Sequence, residues 1–149
     1  MTDSAVVFTV AFAALYAAHA VADHWVQTDH QARRKGLPGW PGRIACARHV
    51  ATYTLTGAVF LLAGAFVTGL HLSPAGVAAG LTVNAASHYI ADRRTPLRRL
   101  AELVGKGPFW QLGAPRPGRD DNPNLGTGAY ALDQSWHIGW LFITALLIA

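Results

Sequence analysis

The sequence predicts an all-α membrane domain, a four-transmembrane-helix up-down bundle with a short amphipathic helix lying in the cytoplasmic interface. Three observations predict it. Hydrophobic residues make up 52% of the 149 residues and charged residues only 13%, about half the charged share of an ordinary soluble domain. Four apolar segments each approach the roughly 20 residues that a helix needs to cross the hydrocarbon layer. All twelve Lys and Arg residues fall between Arg33 and Arg48 or between Arg93 and Arg119, and alternating threading puts those two links on one side.

The elements follow in order within a single domain, residues 1–149. Span one covers residues 5–22, "AVVFTVAFAALYAAHAVA". Its "AHA" resembles a signal-peptide cleavage site, but "MTDS" supplies no basic n-region, so the segment reads as a retained helix. Span two covers 49–70 and span three 74–91. The third is rich in Gly and Ala and contains Asn84, which suits a helix packed among others better than one facing lipid. Span four covers 130–149. The connecting loops are 24–48 and 93–129, and the positive-inside rule makes them cytoplasmic, with both termini outside a bacterial inner membrane. Trp25, Trp40, Trp110, Trp136 and Trp140 lie in or near these loops and helix ends, as interfacial anchors do.

Within the second loop, "TPLRRLAELVGKG" has the pattern of a short amphipathic helix. Thr95 can cap it, Pro96 suits its first turn and Gly105 can end it. Leu97, Leu100, Ala101 and Val104 form one face; Arg98, Arg99 and Glu102 form the other. The stretch 105–129 then lacks periodicity, and a loop of that length is either disordered or functional. The basic loops also suit anionic headgroups. No nucleic-acid motif is present, and a single cysteine, Cys46, rules out both an internal disulfide and a cysteine-based zinc motif.

One spacing recurs. His19 and Asp23 are four apart, as are His88 and Asp92, and Asp133 and His137 repeat the spacing in reverse order. Residues four apart stack on one helix face. Spans one and three run toward the cytoplasm and carry their pairs at their C-terminal ends; span four runs away and carries its pair near its N-terminal end. His49 opens span two. All four helices therefore deliver an imidazole to one depth, and three add a carboxylate. Imidazole with carboxylate suits a divalent ion such as zinc, manganese or iron. The candidate ligands are His19, Asp23, His49, His88, Asp92, Asp133 and His137. One ion would use three or four of them, two ions most, and an Asp can instead orient a ligating His. The competing reading makes each pair a self-neutralising hydrogen-bonded couple at a helix end. Gly76, Gly80, Asn84, His88 and Asp92 continue one stripe of span three, and Tyr16, His19, Asp23 and Gln27 share a face of span one. His24 reads as interfacial and His71 as solvent-facing; His30, eleven residues from His19, could be a loop ligand, and Cys46, three before His49, could join the site but fits a packed residue better; Asp120 and Asp121 read as solvated loop charges.

The motifs "HAVADHWVQT", a His opening the second span, "HYIAD" and "DQSWH" resemble the bacterial and phage membrane proteins grouped as domain of unknown function 3307. The likeness covers most of the chain apart from the Pro/Gly-rich loop. It implies a small polytopic membrane protein and marks the seven ligand candidates together with Gln27 and Gln134; it implies no reaction.

The function expected first is a metal-dependent hydrolase acting at the cytoplasmic face on a lipid or phosphate-bearing substrate. Asp23 or Asp92, where not used as a ligand, would act as general base, Gln134 would hydrogen-bond the substrate, and Arg93 and Arg94 would hold its anionic group. A second expectation, from another class, is metal binding for transport or sensing, with haem ligation as a variant disfavoured by the many carboxylates. A third makes the His–Asp pairs helix-packing contacts.

Overall fold

The computed structural model describes residues 4–116 and 126–149, and within them every regular element is helical. Helix α1 (Ser4–Val21) runs on into a π-helical turn, Ala22–Val26, closed by a bond from Gln27 N to Ala22 O at 2.9 Å. Helix α2 (Asp29–Arg34) falls where the sequence predicts loop. A capping box starts it, with Thr28 accepting from Gln31 N and Gln31 accepting from Thr28 N. Helix α3 (Gly39–Thr68) has 30 residues and begins ten before His49, so Arg43, Cys46 and Arg48 are helical. Pro38 precedes the helix and Pro41 sits in its first turn, where a missing N–H costs nothing. Gly69, at φ 67°, ends it in the left-handed conformation.

Helix α4 (Pro74–Asp92) is capped by Ser73 and matches span three. Helix α5 (Thr95–Leu103) is the amphipathic segment, but Thr95 is its first helical residue and Arg94 occupies the cap position at φ 58°. Leu97 and Ala101 are buried, whereas Leu100 and Val104 on the same stripe stay exposed. A single turn, α6 (Gly107–Trp110), lies in the segment read as aperiodic. Gly128 passes so close to the Phe109 carbonyl that no side chain fits there. Helix α7 (Gly128–Ile148) starts two residues before the expected Tyr130, capped by Thr127. Asp120 and Asp121 lie outside the described residues.

Helices α1, α3, α4 and α7 form a closed antiparallel ring, α1 on α3, α3 on α4, α4 on α7 and α7 on α1. Contacts at both ends fix the directions. Ser4 Oγ donates to Ala149 O, joining the start of α1 to the end of α7. Gly57 and Gly64 of α3 face Leu15 and Val10 of α1, and Gly76 and Gly80 of α4 face the last turn of α7. That half of the ring is filled by Val7, Ala11, Leu15, Leu61, Leu141, Ala145 and Ile148. The other half buries polar groups: His19, His49, Asn84, Ser87, His88, Asp92 and His137. Large apolar side chains point outward instead, among them Val6 on α1, Leu55, Leu62 and Phe66 on α3, and Phe142 and Leu146 on α7.

Two helices are long and apolar enough to cross a membrane, Ser4–Val26 and Gly39–Thr68. Polar residues lower the hydropathy of α4 and α7, and most of these, Asn84, Ser87, His88 and His137 among them, face the interior. The α1–α3 and α4–α7 connections share the polar end of the ring, and all described basic residues belong to that end.

A Cβ at Gly80 would lie 2.9 Å from Ile148 Cγ1 and 3.1 Å from Thr144 O. Gly80→Val should therefore destabilise the bundle by about 1–3 kcal/mol, read as a lower unfolding midpoint in detergent. Gly139→Ala, with open space around its Cβ, should be nearly neutral. Equal midpoints for the two variants would mean that α4 and α7 do not pack this closely.

Candidate metal centre

The seven ligand candidates come from four helices and meet at the polar end of the ring. Helix α1 brings His19 in its last turn, and the π-helical turn brings Asp23, with His19 Nδ1 3.2 Å from Asp23 Oδ2. Helix α3 brings His49, α4 brings His88 and Asp92, and α7 brings Asp133 and His137. His49 and His88 are fully buried, and His19, Asp92 and His137 nearly so.

Four atoms converge most tightly. His49 Nε2 is 3.0 Å from His88 Nε2, 3.1 Å from Asp23 Oδ1 and 3.3 Å from Asp92 Oδ2. His88 Nε2 is 3.1 Å from Asp92 Oδ2 and 3.7 Å from Asp23 Oδ1. Ligands about 2.0–2.1 Å from a tetrahedral zinc ion stand roughly 3.3–3.4 Å from one another. The observed separations bracket that value. Asp23 Oδ1 and Asp92 Oδ2 lie within ion-pair distance of these imidazoles but are buried with no aligned hydrogen-bond donor. Buried polar atoms are normally paired, and here two carboxylate oxygens and two imidazole nitrogens crowd into one small volume.

The outer oxygen of each carboxylate is held by a different neighbour. Asp23 Oδ2 faces His19, and Asp92 Oδ1 takes an ion pair from Lys35 Nζ at 2.8 Å. His19 Nε2 then meets Gln134 Oε1 at 3.2 Å, and the Gln134 amide donates to Asp133 Oδ2 at 3.3 Å. Asp133 Oδ1 stands 3.6 Å from His137 Nε2. Three sets of ligand atoms each lie within 4.8 Å: His19, Asp23 and His88; His49, His88 and Asp92; Asp92, Asp133 and His137. Buried His/Asp clusters of this kind can hold a metal ion. The Tyr53 ring, 3.8 Å from that of His88, packs against the imidazole and restricts its rotation.

A cavity of about 410 Å³ opens over the cluster, lined by Asp23, Gln27, Lys35, Asp92, Arg94, Asp133 and Gln134 among others. The carboxylates reach its surface, while His49, His88 and His137 lie below. Of the two arginines singled out in the sequence, Arg94 lines the cavity, whereas Arg93 turns away and donates to Lys35 O at 2.5 Å and Leu37 O at 2.6 Å. Its guanidinium ties the α2–α3 link to the end of α4. His24 donates to Ala20 O, His30 and His71 are exposed, and the Cys46 thiol faces Tyr89 O, so none of these joins the cluster. Tyr16 is 49% exposed; three residues before His19, it is rotated by roughly 60° around the helix. Lys35 is the participant that sequence reasoning missed, because its place beside Asp92 depends on α2 folding back over the bundle.

No protein-family model, curated protein or solved structure matches the chain.

Loading the metal-free protein with cobalt(II) should give the visible absorption of a tetrahedral centre. His88→Ala, which deletes a ligand common to two of the three sets, should abolish it. An unchanged spectrum would remove His88 from the coordination sphere.

Proposed function

We propose that the chain is an integral membrane protein of the kind grouped as domain of unknown function 3307, with all four ring helices crossing the bilayer and the polar end cytoplasmic. The outward apolar side chains of α1, α3 and α7, and the gathering of basic residues at one end, support this reading. We further propose that it is a metal-dependent hydrolase acting at the cytoplasmic face on a lipid or phosphate-bearing substrate. The observation that carries the proposal is the buried set His49, His88 and Asp92, lying at the floor of an open cavity with Asp23 on the fourth side.

In this reading His49, His88 and Asp92 hold the ion. A divalent ion so held would lower the pKa of coordinated water to about 7 and polarise a phosphoryl or carbonyl oxygen. Asp23 makes the longest of the separations, 3.7 Å to His88 Nε2, and reaches the cavity, so it is placed to take a proton from a nucleophilic water. His19 fixes the orientation of Asp23 by engaging its Oδ2. Lys35 steadies Asp92 through its Oδ1 and presents a positive charge to the cavity. Gln134 and Arg94 line the walls and would bind the substrate's polar and anionic parts.

Ion conduction fits less well. The opposite half of the ring is filled by Leu15, Leu61, Leu141 and Ile148, all at most 3% exposed, with Thr144 the buried polar side chain near them. The packing-contact reading does not account for two carboxylate oxygens, Asp23 Oδ1 and Asp92 Oδ2, buried without an aligned hydrogen-bond donor.

The test is metal analysis and phosphate release from a phosphatidic acid vesicle by detergent-purified, reconstituted protein. Wild type should carry stoichiometric metal and hydrolyse the lipid in a chelator-sensitive way. Asp23→Asn should keep the metal and lose about 10²–10⁴-fold in rate, the usual worth of a general base. Protein without bound metal, or an Asp23→Asn variant as active as wild type, would overturn the mechanism. Lys35→Gln should retain the metal and raise KM more than it lowers kcat; loss of metal in that variant would reassign Lys35 to ligand support alone.

A further inference from the structure

Resting on the metal-centre reading above, we propose that α7 supplies a second divalent-cation site, built from His137, Asp133 and the shared ligand Asp92. The two ions would form a carboxylate-bridged pair at the cavity floor, and the pair would recognise a phosphate group.

His137 is 2% exposed, and its Nε2 is buried without a hydrogen-bond partner. The nearest carboxylate oxygen, Asp133 Oδ1, stands 3.6 Å away. That is too long for a hydrogen bond but close to the separation of two ligands on one ion. Asp133 is held in this orientation: the Gln134 amide takes its Oδ2, and Gln134 is itself engaged by His19. Asp92 completes the set, with all three ligand atoms within 4.8 Å. It also belongs to the His49–His88 set, so ions in the two sets would be neighbours. Carboxylate-bridged ions in two-metal hydrolytic sites stand about 3.5–4 Å apart.

The two sites differ in chemistry. The His49–His88–Asp92 set has two nitrogens and is wholly buried, which suits zinc. The α7 set has one nitrogen and two oxygens, and Asp133 borders the cavity, so its remaining positions face solvent. That set suits a harder ion such as manganese. Charge favours double occupancy when a phosphate binds. Asp23, Asp92 and Asp133 exceed Lys35 and Arg94 by one negative charge, so one divalent ion turns the lining positive and a second strengthens that charge. A phosphate oxygen could then bridge both ions, the clamp that two-metal sites use.

The test titrates metal-free, detergent-purified protein with manganese(II), counting bound equivalents and recording the electron paramagnetic resonance spectrum. Wild type should bind two equivalents and show a spin-coupled pair. Asp133→Asn and His137→Gln should each bind one equivalent and show only an isolated ion. Asp133, with a side chain 29% exposed, is the variant least exposed to folding defects, and helicity by circular dichroism verifies both. Inorganic phosphate should bind the two-ion protein at least tenfold more tightly than either variant. Saturation of wild type at one equivalent, retained in both variants, would overturn the second site and leave the hydrolase reading standing. Binding of no metal at all would overturn that reading itself.

Discussion

The structure depends on one electrostatic constraint: Asp23 and Asp92 place carboxylate oxygens inside a helical ring, against imidazoles and out of bulk water. Moving a carboxylate from water into such a place costs several kcal/mol unless opposite charge and hydrogen bonds compensate. The outer oxygens are engaged by His19 for Asp23 and by Lys35 for Asp92. The inner oxygens converge with His49 Nε2 and His88 Nε2 on one volume. A cation there could take His49 Nε2, His88 Nε2 and Asp92 Oδ2 together, with Asp23 Oδ1 beside it.

The division of the ring into two halves follows from this constraint. Glycines along α3 and α4 let the helices approach closely at the apolar end, where Leu15, Leu61, Leu141 and Ile148 fill the centre. Close packing there makes a rigid base from which the polar end is held. At that end the side chains are bulky and polar, and the ring opens into the cavity. The π-helical turn at Ala22–Val26 belongs to the same accommodation, since it changes the rotation per residue just where Asp23 must reach across to α3. Such turns occur often at functional positions.

Much of this was readable from the sequence, for a physical reason. Helical periodicity fixes which residues four apart share a face, and an up-down order of the helices brings His19, His49, His88 and His137 to one end of the bundle. Apolar patterning places helices at 74–91 and 130–149, and the structure sets them at 74–92 and 128–148 with Ser73 and Thr127 as caps. What was not readable depends on tertiary contact. The "GLPGWPG" stretch reads as loop, yet Pro41 is tolerated in a first turn and α3 begins at Gly39. Thr95 reads as a cap, but the chain reverses one residue earlier, at Arg94. Arg93 reads as a free cation beside a site, and its guanidinium is taken by backbone carbonyls. Lys35 has no spacing that ties it to Asp92, because α2 reaches α4 only by folding over the ring.

Three consecutive residues at the end of α4 explain how that fold-over is coupled to the centre. Asp92 holds the Lys35 ammonium, Arg93 holds the carbonyls of Lys35 and Leu37, and Arg94 lies against Gly36, where a Cβ would come 2.8 Å from Arg94 Cδ. Arg94 makes these contacts at φ 58°, and it is the only non-glycine residue at positive φ among those described. Such a conformation costs about 1–3 kcal/mol and persists only where neighbouring contacts over-determine it. Here they do: an ion-paired carboxylate, a tether and a cavity wall are fixed by one turn of chain. The α2–α3 link therefore cannot shift without disturbing Asp92, and any change in charge at Asp92 is felt directly by the segment that borders the cavity.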